Sequence, residues 1–461
     1  MMLPVAEMMD AAGFEAIELA TPIEMVKCVR ELREDPWERY RSMARRIRKT
    51  PLRAIHGTRA GFEIYPKEIH QLWDECVARS GIRQVRISDC WNDYAEWRWR
   101  VDQARRAGLE PIVNLIYSIS PRHTDDYYAE RTRAAAELDA ARLCLKDPGG
   151  LLTPERVRSL APLILRNAGT MPVELHTHCN TGLGPLCCLE AIRLGMVSIN
   201  TAVPPLADDS SNPSVYNVAR NARALGFFAA VDEEPLKGVT EHLLRVARRE
   251  GLAVGGPVEY DCSQYVHQIP GGMISNLRHQ LQRVGMEDRL PETLEEAARV
   301  RSDLGYPIMV TPLSQFVGSQ AAINVIAGER YKEVTDQMIQ YALGIWGEEG
   351  SRSMDSDLRD RILARPRARE VASAFESRPT MSDLRARLGG SNVSNFDLLL
   401  RFLAGAEEIA RMRAVHPARD GLDARSPLVI LIEGLTKQPG AARVDVTRPG
   451  FSIHLEKTTG R

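Results

Sequence analysis

Over the first 230 or so residues, amphipathic stretches rich in arginine and alanine alternate with short apolar runs, often with a glycine between the two. Ala12-Gly13-Phe14-Glu15-Ala16-Ile17-Glu18-Leu19 is one such junction. Ala107-Gly108-Leu109 leading into Ile112-Val113-Asn114-Leu115-Ile116 is another, and Gly81, Gly195 and Gly226 mark the same step. A glycine that ends a helix and precedes an apolar run is how a helix cap leads into a buried parallel strand. The pattern predicts strands at 16–19, 52–56, 84–88, 112–117, 142–146, 173–178, 198–203 and 227–231. Alternation at this spacing predicts an α/β fold, a (β/α) barrel of the TIM type. A doubly wound sheet is the alternative, and no glycine-rich phosphate loop follows any strand to favour it.

From about residue 235 the period changes. Stretches at 238–250 and 293–304 predict long helices, interrupted at turns such as Ile269-Pro270-Gly271-Gly272. Residues 355–413 read as two or three further helices, Val415 to Ser426 as a linker, and 428–437 as a short helix. Arg443-Val444-Asp445-Val446 and Phe451-Ser452-Ile453-His454-Leu455 alternate across Arg448-Pro449-Gly450, a hairpin signal. The expected organisation is a barrel at 1–234, a helical domain at 235–413, and a linker with a small tail at 414–461.

Composition narrows the class. The 461 residues carry 60 basic and 61 acidic side chains, a net charge of -1, and no basic face that would suit nucleic acid. Eight cysteines form no C-x-x-C pair, and several sit in apolar runs as small core residues, which fits a reducing cytoplasm. The amino terminus has no basic n-region of a signal peptide, and no apolar stretch approaches a membrane span.

Candidate chemistry gathers at two predicted strand ends. Val173-Glu174-Leu175-His176-Thr177-His178 ends in two histidines one residue apart, followed by an Asn180-Thr181-Gly182 turn. In a strand, positions i and i+2 share a face, so both imidazoles reach one point at the carboxyl end, where parallel α/β folds place their sites. The preceding predicted strand ends in Leu143-Cys144-Leu145-Lys146-Asp147. A lone His-x-His is most often structural, and a strand-end lysine usually reaches water. Their occurrence on successive βα units points to a metal site.

Longer motifs then come into line. Cys144-Leu145-Lys146-Asp147-x-x-Gly150-Leu151-Leu152-Thr153-Pro154 and Leu175-His176-Thr177-His178-x-x-Thr181-Gly182 resemble the carboxyltransferase family of oxaloacetate decarboxylase alpha subunits and pyruvate carboxylase. Arg33-Glu34-Asp35-Pro36-Trp37-Glu38-Arg39, Arg86-Ile87-Ser88-Asp89-x-x-Asn92-Asp93, and His267-Gln268-Ile269-Pro270-Gly271-Gly272-Met273 add to the resemblance. So do the stretches from Gly305 to Gln315 and from Gly328 to Lys332, and the likeness runs in order over about residues 3 to 410. It implies a barrel holding zinc or manganese through His176, His178 and a carboxylated Lys146, so that a 2-oxo acid can form an enolate. It also implies a proton-shuttling hydroxyl at Ser210, where the family has threonine, and substrate contacts at Arg59 and Asp89. His56 stands nearer than Arg59 to the position where the family carries its substrate-gripping arginine.

Departures from the family accompany these matches. The family opens with a strand bearing Arg-Asp-x-x-Gln-Ser, which supplies a further metal ligand; this sequence begins just after it, at what reads as the first helix. The resemblance assigns 227–231 to a segment after the barrel, leaving seven strands, and a late start codon or a degenerate gene is the expected cause. Phe62 replaces a family tyrosine and Val26 an aspartate, and no Met-Lys-Met biotin attachment site occurs. The expected function is thus the carboxyltransferase subunit of a biotin-dependent carboxylase or decarboxylase, cytoplasmic and homo-oligomeric. It would act on a 2-oxo acid such as oxaloacetate or pyruvate, with biotin on a separate carrier protein and a biotin carboxylase subunit as partner. A biotin-independent metal lyase or aldolase, and a degenerate non-catalytic subunit, are the alternatives.

Overall fold

The computed structural model describes residues 2–57, 66–414, 443–448 and 451–456. Seven parallel strands form one curled sheet in chain order: β1 (Ile17–Ala20), β2 (Leu52–Gly57), β3 (Gln84–Ser88), β4 (Glu110–Ile116), β5 (Arg142–Asp147), β6 (Val173–Thr177) and β7 (Ser198–Ile199). Each falls on a run singled out by the apolar pattern. The eighth run, 227–231, forms no strand: it follows the helix Val215–Ala224 as irregular chain, with Phe228 91% exposed. Periodicity overcounted there, and the assignment of that run to a post-barrel segment holds.

Curling is visible in the side chains. Arg53 on β2 reaches Glu174 on β6 at 3.1 Å, a contact between strands four apart that only the inside of a half-barrel permits. Alternation then sorts the residues of β6: Glu174 and His176 face the interior, while Leu175 faces the helical layer. The interior is charged, with Arg53, Arg86 and Glu174 all buried and paired with one another, as buried charges must be.

Among the described residues β1 and β7 are not paired with each other, and a cavity of about 900 Å³ lies between them. Ile17, Glu18, Ile199, Asn200, Met9 and Phe228 are among its walls. Side chains cross it at the amino end of the strands, where Ser198 Oγ donates to Glu15 at 2.5 Å and Arg142 pairs with the same carboxylate.

The helices beyond the barrel divide between two apolar cores. Those from 269 to 371 form a core that also takes in Cys90 and Trp91 from the loop after β3. This layer sits on the strands' carboxyl ends: Trp91 Nε1 donates to the Trp346 carbonyl at 2.9 Å, and Arg301 reaches Ser118 Oγ at 2.9 Å. Helices Met381–Arg387, Asn395–Ala404 and Ala406–Ala414 return instead to the flank of the barrel, where Trp37 Nε1 donates to the Phe396 carbonyl at 3.1 Å. The tail strands β8 (Arg443–Arg448) and β9 (Phe451–Glu456) pair antiparallel, as the hairpin signal predicted. The predicted linker and the helix at 428–437 lie outside the described residues. No described helix is long and apolar enough to cross a membrane.

Candidate metal and carboxyltransfer site

Lys146 and His176 are register partners on β5 and β6, so their side chains leave the sheet side by side on its inner face. His178 follows one residue beyond β6 and turns its ring to the same place. The two Nε2 atoms stand 3.1 Å apart. Two nitrogens bound to one tetrahedral ion through bonds of about 2.0–2.1 Å would stand roughly 3.3 Å apart, so the spacing suits a shared cation. Both rings are neutral: burial first and Arg86 next hold His176 well below the usual histidine range, and burial followed by Lys146 pulls His178 down to about 4. Burial and then Arg86 lower the Lys146 ammonium to about 8, and its Nζ lies 3.4 Å from Ser88 Oγ. Among the described residues no three His, Cys, Asp or Glu side chains gather into a metal-binding group. The donor set is therefore two neutral imidazoles and a lysine whose amine could carry a carboxylate, and these residues fit a divalent ion.

The loops are built to hold this arrangement. Asp147 is fully buried and accepts from the Leu151 and Leu152 backbone at 2.8 and 2.9 Å and from Thr177 Oγ1 at 2.8 Å; burial pushes its carboxyl up to about 6 despite those bonds. Thr181 Oγ1 donates to the Gly150 carbonyl at 2.7 Å and Asn180 to that of Gly149 at 3.1 Å, stitching the loop after β6 to the loop after β5. Gly150 has φ +63°, and a Cβ there would lie 2.8 Å from the His178 carbonyl oxygen, so only glycine fits.

The other sequence candidates fall out differently. Ser210 stands exposed on the loop after β7, and its backbone lies near enough to the His178 ring to raise that imidazole's proton affinity slightly against the dominant effect of burial. That loop is held by Asp208, which accepts from the Ser214 amide at 3.0 Å, and by Asn212, which donates to the Thr177 carbonyl at 2.9 Å. Asp89 is buried, and its Oδ2 accepts from the backbone of Trp91 and Asp93, both at 2.9 Å, so this oxygen shapes the turn after β3. Arg59 and Phe62 lie outside the described residues. His56 points away from the site into the helical layer, bonded to Asp74 at 3.0 Å and His70 at 3.0 Å, which removes it as a substrate ligand.

Two residues that the sequence pattern did not single out bear on the pair. His176 Nδ1 lies 3.0 Å from Asn200 Oδ1 and 3.1 Å from an Arg86 guanidinium nitrogen. Arg86 is also bound to Glu174 through Nε and Nη2, at 3.2 and 2.8 Å. The signal for Arg86 was available: a charged residue in the middle of the buried run Gln84-Val85-Arg86-Ile87 must face a charged interior. No comparable signal marked Asn200.

The chain is similar to several known proteins. Residues 265–403 match a family described as the conserved carboxylase domain. The chain is 35% identical to a pyruvate carboxylase subunit of Methanocaldococcus jannaschii over 366 residues, 78% of this chain and 64% of that protein. It is 30% identical to the methylmalonyl-CoA carboxyltransferase 5S subunit of Propionibacterium freudenreichii subsp. shermanii over 341 residues, 73% of this chain and 67% of the relative. The chain thus spans less than two thirds of the Methanocaldococcus protein's length. In fold it matches the carboxyl transferase domain of Rhizobium etli pyruvate carboxylase with a TM-score of 0.78 at 19% identity, over 89% of this chain and 73% of that one.

Proposed function

Because the chain belongs to the carboxyltransferase family of the biotin-dependent carboxylases, we propose that it moves a carboxyl group between biotin and a 2-oxo acid of the oxaloacetate and pyruvate type. The observation that carries the proposal is the meeting of His176 and His178 Nε2, 3.1 Å apart, at the carboxyl end of the barrel beside Lys146. His176, His178 and carboxylated Lys146 would hold a zinc or manganese ion there. When bound, such an ion would polarise the 2-oxo carbonyl and stabilise the enolate charge left when a carboxyl group departs without its bonding electrons or a proton is removed.

The chain's own residues do the rest. The Arg86–Glu174–Arg53 network carries one more positive than negative charge, and Arg86 beside His176 disfavours protonation there, so the imidazoles stay neutral donors. Ser210, exposed on the loop after β7, keeps a hydroxyl on the solvent side of the site, where it would pass a proton between substrate carbon and the biotin nitrogen. Arg59 is assigned to the substrate carboxylate, and Asp89 to shaping the turn that borders it. The layer of helices from 269 to 371 covers the strand ends and would exclude water from the enolate. Biotin arrives on a separate carrier protein charged by a biotin carboxylase subunit; two of the relatives are themselves named as subunits, which supports partners in trans. A cytoplasmic homo-oligomer is the proposed setting.

The test is carboxyl exchange between oxaloacetate and pyruvate by the purified chain with a biotinylated carrier, alongside elemental analysis. Stoichiometric zinc or manganese, exchange that depends on the carrier, and loss of both in Lys146→Ala are expected. Full exchange in Lys146→Ala would remove the metal role, and cleavage of a 2-oxo acid with no carrier present would replace transfer by a biotin-independent lyase reaction.

A further inference from the structure

His176 Nδ1 faces two groups of opposite kind. Asn200 Oδ1, 3.0 Å away, can only accept a hydrogen; the Arg86 nitrogen, 3.1 Å away, can only donate one. A neutral imidazole satisfies one of them. With the hydrogen on Nδ1, the ring donates to Asn200 and turns the lone pair of Nε2 toward His178 Nε2, 3.1 Å off. With the hydrogen on Nε2, Nδ1 accepts from Arg86, and Nε2 donates to His178 and is closed to any cation. The two tautomers are a ligand form and a resting form of the same ring.

We propose that Asn200 is the positioning residue that selects the ligand form of His176, against Arg86, when a divalent cation enters. The inference rests on the metal reading given above. Asn200 follows directly on β7, its backbone amide donating to the Leu175 carbonyl at 2.8 Å, so its backbone is anchored beside β6. Arg86 can release the ring without loss of partners, because its guanidinium keeps Glu174 at 2.8 Å and Glu18 at 3.2 Å. Asn200 is the acceptor at that nitrogen. Remove it, and the ligand form leaves an N–H facing an arginine with nothing to accept it, a buried donor without a partner.

The test uses the full chain as wild type, Asn200→Leu (similar in size, no acceptor) and Asn200→Asp (acceptor kept). Zinc and manganese affinities come from competition with a chromophoric chelator, thermal unfolding reports on folding, and long-range ¹H–¹⁵N correlation of labelled histidines reads the tautomer with and without zinc. Asn200→Leu is expected to weaken the metal about 10- to 100-fold, as loss of a ligand-orienting partner typically does. Asn200→Asp stays near wild type, and the His176 signal moves to the Nδ1–H form on zinc addition in wild type, but in Asn200→Leu only at correspondingly higher zinc. A folded Asn200→Leu with wild-type affinity, or a wild type that binds zinc while His176 keeps its hydrogen on Nε2, overturns the role of Asn200. If wild type binds no metal while His176 is already Nδ1–H and shifts tautomer in Asn200→Leu, the metal reading falls and the orienting role of Asn200 stands.

Discussion

Individual residues here are tuned mainly by burial. His56 is enclosed by Asp74, His70 and Arg100, and burial first, with Arg100 second, lowers it to about 4; burial and Arg301 lower His123 to about 3. A histidine whose folded value lies below its unfolded value takes up its proton more readily in the unfolded chain. Stability is therefore full above about pH 6.5 and falls as the pH drops toward 4, by roughly 1.4 kcal/mol per unit for each such histidine. Urea unfolding at pH 7.5, 6 and 5 should show midpoints that decline in that order, and a flat profile would contradict the buried neutral histidines. Gly150→Ala makes the opposite kind of test. A Cβ 2.8 Å from the His178 carbonyl, at φ +63°, should cost about 1–3 kcal/mol and disturb the His178 loop. Unchanged stability together with unchanged metal affinity would show that the loop yields.

At the scale of elements, the strands position the site by keeping a strict alternation. On β6, Val173 and Leu175 are buried against helices while Glu174 and His176 face inward, so a register slip of one residue would exchange the two sets. Leu175 is fully buried, and Leu175→Ala should destabilise the fold by about 2–5 kcal/mol, measured by denaturant unfolding. The turn entering β2 has a different support. Asp10 accepts from the backbone amides of Arg48, Lys49 and Thr50 at 2.8 to 3.0 Å. Burial alone would raise its carboxyl, yet those three donors hold it below the usual range. Asp10→Ala leaves three N–H groups to find water, and should cost about 1–3 kcal/mol in the same assay. The strands themselves were legible as apolar runs because a parallel strand buries both faces. The run at 227–231 looked alike in sequence, but Phe227 and Phe228 gain no sheet partner and stand exposed.

For the whole molecule, the open seam between β1 and β7 is the weakest part of the sheet. β7 pairs with β6 through only Ser198 and Ile199, whereas β4 and β5 are paired along their length on both sides. Amide exchange should therefore be fastest in β1 and β7 and slowest in β4 and β5, and uniform protection across the seven strands would mean the seam is closed in solution. The site sits on β5 and β6, two strands and one strand in from the β7 edge, so Lys146 and His176 ride on the fully paired β5–β6 ladder while Asn200 approaches from the edge.

Sequence by itself determined the alternating architecture, the places of the seven strands and the tail hairpin, and the convergence of His176 and His178, because each depends on local periodicity. A period of two aims both histidines at one side of β6, with His178 carried one residue past the strand's end. Only the tertiary structure decided that His56 turns outward and that Ser210 stands exposed on the loop after β7. It alone placed Asn200 and Arg86 at the same ring nitrogen. Those outcomes depend on which strands the curl of the sheet brings face to face, and residues as far apart as Arg53 and Glu174 meet through that curl rather than through any spacing along the chain.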